Sequence, residues 1–144
     1  MDTRWTQHYE ESVAKTLTYP TKPLTALLDE ATRAYPNNTA INFVLKYIAG
    51  GHVAMGGKLT YRQLKEAADR FATALHALGV RQGDRVAVML PNTPQFVIAF
   101  FGAPRIGPTI VNIHPTYTPR EPKAQLPDSG AETIVILNLF LPRL

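Results

Sequence analysis

Val86-Ala87-Val88-Met89-Leu90, Thr109-Ile110-Val111-Asn112-Ile113 and Thr133-Ile134-Val135-Ile136-Leu137 are three short, almost wholly apolar runs. Each lacks the in–out alternation of a half-exposed strand, so each predicts a strand covered on both faces. Between the first two, Thr93-Pro94 opens a segment that is apolar nearly all round from Phe96 to Ala103. Between the last two, Thr118-Pro119-Arg120-Glu121 has the form of a capping box with proline suited to the first helical position. Strand, helix, strand, helix, strand, with connections of this length, predicts two parallel crossover units. The fold class is therefore α/β. The three runs are expected to be adjacent parallel strands, with helices 94–103 and 119–126 crossing right-handedly on one face.

Working upstream, Gln82-Gly83-Asp84 is a turn, and Gly79 ends the most regular helix of the chain. Thr60 and Gln63 form its capping box. Leu64, Ala67, Ala68, Phe71, Leu75 and Leu78 make its apolar stripe, opposite Arg62, Lys65, Glu66, Asp69, Thr73 and His76. Glu66–Arg70 and Lys65–Asp69 are spaced as surface ion pairs. Before it, a strand over 39–48 and the glycine pairs Gly50-Gly51 and Gly56-Gly57 predict a β-hairpin. A first helix spans 24–35, with Leu24, Leu27, Leu28, Ala31 and Tyr35 on one side and Pro36 as its stop. Residues 1–23 read as an extended, polar lead-in. The chain thus divides into a lead-in (1–23), a helix plus hairpin (24–57) and an α/β part (58–144).

The whole is 144 residues, about one domain, with 45% apolar and 18% charged residues, so a buried core is expected rather than disorder. The net charge of +4 is spread evenly along the chain, without the basic stripe that a nucleic-acid groove requires. There is no cysteine, hence no disulfide, thiolate ligand or cysteine nucleophile. The longest apolar run, 96–104, is about half of the roughly 20 residues of a membrane-spanning helix, and the N-terminus has no apolar signal core. A cytoplasmic chain is expected.

Tests for chemistry are negative. No G-x-x-x-x-G-K-[ST] motif is present, and Pro91-Asn92-Thr93-Pro94, at the first strand-to-helix turn, lacks the glycines that admit a pyrophosphate. Ser12 and Ser129 are the only serines, and neither sits in a G-x-S-x-G elbow; Ser129 reads as a turn residue. His8, His52, His76 and His114 have no metal-ligand spacing. His76 reads as solvated and Asp84 as a turn residue. His114 stands out only because it follows a parallel strand, where α/β ligands tend to bind. No residue is expected to be catalytic or a metal ligand, and cofactor-binding residues stay unassigned.

The chain as a whole resembles the long-chain fatty-acid–CoA ligases of the acyl-adenylate-forming superfamily. The likeness rests on Leu59-Thr60-Tyr61-Arg62-Gln63-Leu64, on Ala77 to Asn92, on Gln95 to Ala103 and on Val111 to Glu121, and the lead-in 8–31 fits the same group. The resemblance implies an N-terminal portion of an adenylate-forming large domain. It also implies a two-step reaction for the full-length family: a fatty carboxylate, ATP and Mg2+ give acyl-AMP and pyrophosphate, and CoA then displaces AMP. The family's phosphate loop, its glutamate, its ribose-binding aspartate and its C-terminal lysine correspond to positions beyond Leu144, so no catalytic residue carries over. An N-terminal fragment, inactive alone and without its own cofactor, is the leading expectation. The alternatives are a free-standing α/β module binding a nucleotide or CoA, and an interaction fragment of a split ligase. Self-association through an exposed sheet edge is also expected.

Pro104, Pro108, Pro122 and Pro127 depart from the family's usual residues. A proline deep in a helix costs about 3 kcal/mol and one in the first turn little; Pro122 falls at about the fourth helical residue and Pro104 and Pro127 near helix ends, and together they are expected to shorten two helices.

Overall fold

The computed structural model describes residues 4–47 and 53–143. Its centre is a three-stranded parallel sheet of β3 (Arg85–Met89), β4 (Thr109–Asn112) and β5 (Thr133–Ile136), ordered β4-β3-β5. Val86 pairs with Ile110 on one side and Thr133 on the other. The middle strand is entirely enclosed: Val86, Ala87, Val88 and Met89 are at most 1% exposed. This is the burial that its unbroken apolar run demanded.

The two connecting helices do not share a face, contrary to expectation. Val86 and Val88 pack with Ala99 of α3 (Pro94–Gly102), whereas Ala87 and Met89 share a cluster with Leu126 of α4 (Arg120–Ser129). The reason is topological. The chain steps from β3 outward to β4, then back across β3 to β5, and two crossovers of one hand that travel in opposite directions must use opposite faces.

Over α3 lies α2 (Tyr61–Ala77), and α1 (Leu24–Ala34) packs on both. The Thr60 capping box is complete, with Gln63 N–H donating to the Thr60 hydroxyl and the Gln63 side chain accepting from Thr60 N–H. The buried stripe is Leu64, Ala68, Ala72 and Leu75. Leu78, expected to extend it, is 80% exposed. The helix ends before it, Gly79 turns the chain at φ +101°, and Val80 takes the core position while its N–H caps Leu75 C=O. Gly102 is where α3 meets α2 most closely: a Cβ there would lie 2.8 Å from Ala68 C=O.

The hairpin forms from β1 (Thr39–Tyr47) and β2 (Val53–Thr60), antiparallel. Gly56 and Gly57 sit within β2, opposite Val44 and Phe43, rather than at the corner. Gly50, Gly51, Ile48 and His52 lie outside the described residues. The prolines are better accommodated than expected. Pro122 falls in the first turn of α4, where no N–H is required, and is fully buried. The helix runs on past Pro127 to Ser129, longer than the expected 119–126. Pro104 is the second residue of a 3-10 turn, Ala103–Ile106, that follows α3.

Candidate functional site

Because α3 and α4 leave on opposite faces, the loops after β3 and β4 part from one another. The crevice that opens at such a switch point, outside the carboxyl ends of parallel strands, is the preferred ligand position in α/β sheets. Here its volume is about 510 Å3, and it is lined by Leu90, Pro91, Asn92, Phe96, Asn112, Ile113, His114, Pro115 and Tyr117.

Each wall has a local cause. Leu90 and Ile113, both buried, continue β3 and β4 and form the floor; Ile113 N–H still donates to Val88 C=O. On the β3 side, Thr93 N–H donates to Pro91 C=O at 2.7 Å, which folds Pro91-Asn92-Thr93 into a tight turn before Pro94 starts α3. Phe96 projects from the first turn of that helix and stacks on Phe100, with ring centres 6.0 Å apart. On the β4 side, Thr116 N–H and its hydroxyl approach His114 Nδ1 at 3.3 and 2.7 Å. The backbone N–H can only donate, so Nδ1 is an acceptor and the neutral ring carries its proton on Nε2. The His114 and Tyr117 rings lie 5.6 Å apart. The loop is anchored beyond by Thr118, whose N–H and hydroxyl both donate to Glu121 Oε2 at 2.7 and 2.8 Å. Those two bonds hold the Glu121 carboxyl below its ordinary pKa. The expected capping box at 118–121 is thus half formed: Glu121 caps Thr118, but the hydroxyl donates instead of accepting.

The crevice lining contains no Lys, Arg, Asp or Glu among the described residues. It offers two amides, one imidazole, one phenol and aromatic side chains on an apolar floor, without a cation or glycine nest for a phosphate. ATP, Mg2+ and CoA phosphates therefore do not fit these residues.

The other singled-out residues lie elsewhere. His76 is exposed on α2, and His8 is exposed in a 3-10 turn, Arg4–His8. Asp84 accepts from Arg81 N–H at 2.7 Å, the turn role expected of it. Ser129 donates to Leu126 C=O at the end of α4. Lys65 and Asp69 pair at 2.7 Å, whereas no ion pair joins Glu66 to Arg70 among the described residues. No group of His, Asp and Glu among the described residues could hold a metal ion. Nor is any helix among them long and apolar enough to cross a membrane.

Sequence reasoning singled out His114 but missed Asn92, Asn112, Phe96 and Tyr117. The available signal was positional: Asn92 and Asn112 stand at the ends of successive strands in the same topology. It also missed Arg105, whose Nη2 lies 2.7 Å from Asp29 Oδ1 and whose Nε lies 2.9 Å from Asp69 Oδ1. The Nε–H is not aimed at that oxygen, so the second contact is electrostatic rather than a hydrogen bond. A lone cation inside an apolar stretch was its signal.

The sequence model of AMP-binding enzymes matches residues 28–143. The chain is 38% identical to a long-chain-fatty-acid–CoA ligase of Haemophilus influenzae over 142 residues, 97% of this chain and 23% of that one. Among solved structures, it resembles a long-chain-fatty-acid–CoA ligase from Archaeoglobus fulgidus (TM-score 0.75, 25% identity, 90% of this chain and 25% of that one). It also resembles the N-terminal domain of FACL13 from Mycobacterium tuberculosis (TM-score 0.73, 29% identity, 85% and 29%). The chain spans about a quarter of the length of the relatives it matches.

Proposed function

The chain belongs to the AMP-binding enzyme family, and from that premise we propose that it supplies the N-terminal scaffold of an ATP-dependent long-chain fatty-acid–CoA ligase and does not catalyse the reaction alone. The full reaction would join a fatty acid to CoA, with ATP converted to AMP and pyrophosphate. The observation that carries this reading is the match itself: nearly the whole chain aligns with ligases, yet only 23% of their length is covered. The crevice chemistry agrees, since adenylation needs preorganised positive charge around the phosphates and the lining supplies none. ATP, Mg2+ and CoA are accordingly assigned to the full-length enzyme, with binding residues outside this chain. A cytoplasmic location is proposed on the same footing.

The test is a chimera in which residues 1–144 replace the aligned stretch of the Haemophilus influenzae ligase. Fatty-acid-dependent ATP–pyrophosphate exchange in the purified chimera is the expected result. A chimera that melts cooperatively but shows no exchange would refute the scaffold role.

A second reading, a free-standing binding module, draws on one observation: the switch-point crevice is formed by this chain's own residues. Equilibrium binding of ATP, acyl-AMP and CoA to the isolated chain separates it from the first, which expects none.

A further inference from the structure

We infer that the crevice between β3 and β4 binds an uncharged planar ring with a hydrogen-bonding edge and discriminates against phosphate- and carboxylate-bearing ligands. This goes beyond the ligase reading and does not rest on it, because it uses only the crevice.

The lining specifies the ligand. A floor of buried Leu90 and Ile113 favours an apolar body, and the aromatic side chains of Phe96, on the β3 side, and of His114 and Tyr117, on the β4 side, line the opening. Polar groups are few and neutral: the Asn92 and Asn112 amides and the Tyr117 hydroxyl, which both donate and accept, and the Nε2–H of the neutral His114 ring. A volume of about 510 Å3 lies within the range of roughly 300–1,000 Å3 typical of small-molecule sites.

The same lining argues against anions. A phosphate or carboxylate entering the crevice would lose hydration without meeting a lining Lys or Arg. The turn that precedes α3 does not replace that charge, because Thr93 N–H is committed to Pro91 C=O. The loop after β4 is likewise engaged internally: Thr116 N–H is directed at His114 Nδ1 and Tyr117 N–H at His114 C=O. The His114 ring is therefore set by its own loop, presenting a fixed wall rather than one that a ligand must order. Preorganisation of this kind favours a rigid, flat occupant over a flexible chain.

The experiment is an NMR titration of the 15N-labelled 144-residue chain at pH 8 with three probes. Adenosine is an uncharged planar ring with a polar edge, AMP adds a phosphate to it, and cyclohexanecarboxamide is a saturated ring with an amide. Saturable shifts of the Asn92 and Asn112 side-chain amides are expected with adenosine. Neither AMP nor the saturated ring is expected to give a saturable shift in the same range. His114→Ala should weaken adenosine about fivefold, the scale of one lost ring or hydrogen-bond contact. His76→Ala, at an exposed site on α2, should leave binding unchanged. Asn112→Ala provides a second reading independent of the His114 loop, with a similar loss expected. The inference is overturned if adenosine produces no saturable shift at either asparagine, if AMP or the saturated ring binds as tightly as adenosine, or if neither variant weakens binding.

Discussion

At the scale of single residues, Arg105 ties three helical elements together. Only 15% of its side chain is exposed, and it joins Asp29 of α1 and Asp69 of α2 to the 3-10 turn after α3. Its hydrogen bonds to Asp29 lower that carboxyl's pKa from the usual 3.8, outweighing partial burial, which acts the other way. A depressed aspartate stabilises the fold above its unfolded pKa, and the contribution disappears as pH falls through the lower folded value. The wild-type chain should therefore lose stability on acidification below about pH 4 partly through Asp29. Asp29→Asn should flatten that part of the profile in urea melts taken across pH 2.5–6. Arg105→Ala should cost about 2 kcal/mol at pH 7, less than a fully buried pair because both carboxylates are partly solvated. An unchanged urea midpoint for Arg105→Ala would mean the cluster contributes nothing to stability.

At the scale of elements, two substitutions probe packing and helix continuity. Gly102→Ala would place Cβ 2.8 Å from the backbone oxygen of Ala68, which cannot yield as a side-chain tip can. The helices must separate, and a loss of about 2 kcal/mol is expected by thermal or urea denaturation. Pro127 lies inside α4 and cannot donate to Lys123 C=O. Pro127→Ala restores that donor, and the melting temperature should rise; a fall would show that the proline is favoured by its surroundings.

These elements also mark what the sequence made legible. Strand identity was plain because β3 is enclosed on both faces and must be continuously apolar. The α2 start was plain because Thr60 and Gln63 satisfy each other locally. The sidedness of α3 and α4 was not, since it depends on β5 returning across β3, a long-range pairing with no local mark. Leu78 was misread because periodicity continues through it, while the Gly79 turn removes it from the helix face. Pro122 takes little of the cost of an interior proline because it falls in the first turn of α4, and Pro127 does not stop the helix, which runs on to Ser129. Of the crevice, only His114 drew notice; Asn92 and Asn112 acquire meaning only once their strands are adjacent.

At the scale of the whole molecule, the two sheet edges differ. Gln125 Nε2 donates to Asn112 C=O and occupies an acceptor of β4. The β5 run Thr133–Ile136 is uncharged and half-buried throughout, the kind of edge that pairs with other chains. The isolated chain should consequently self-associate as its concentration rises, and light scattering across a dilution series checks this; a monomer at every concentration would show that the β5 edge is adequately protected.

The central claim is that this chain carries the fold of the ligases' N-terminal part while adenylation resides in residues outside it. The most direct measurement is ATP–pyrophosphate exchange by the purified 144-residue chain, with Mg2+ and a range of fatty acids. The account predicts no exchange above background. Fatty-acid-dependent exchange that persists through successive purification steps and remains proportional to the amount of this chain would contradict it.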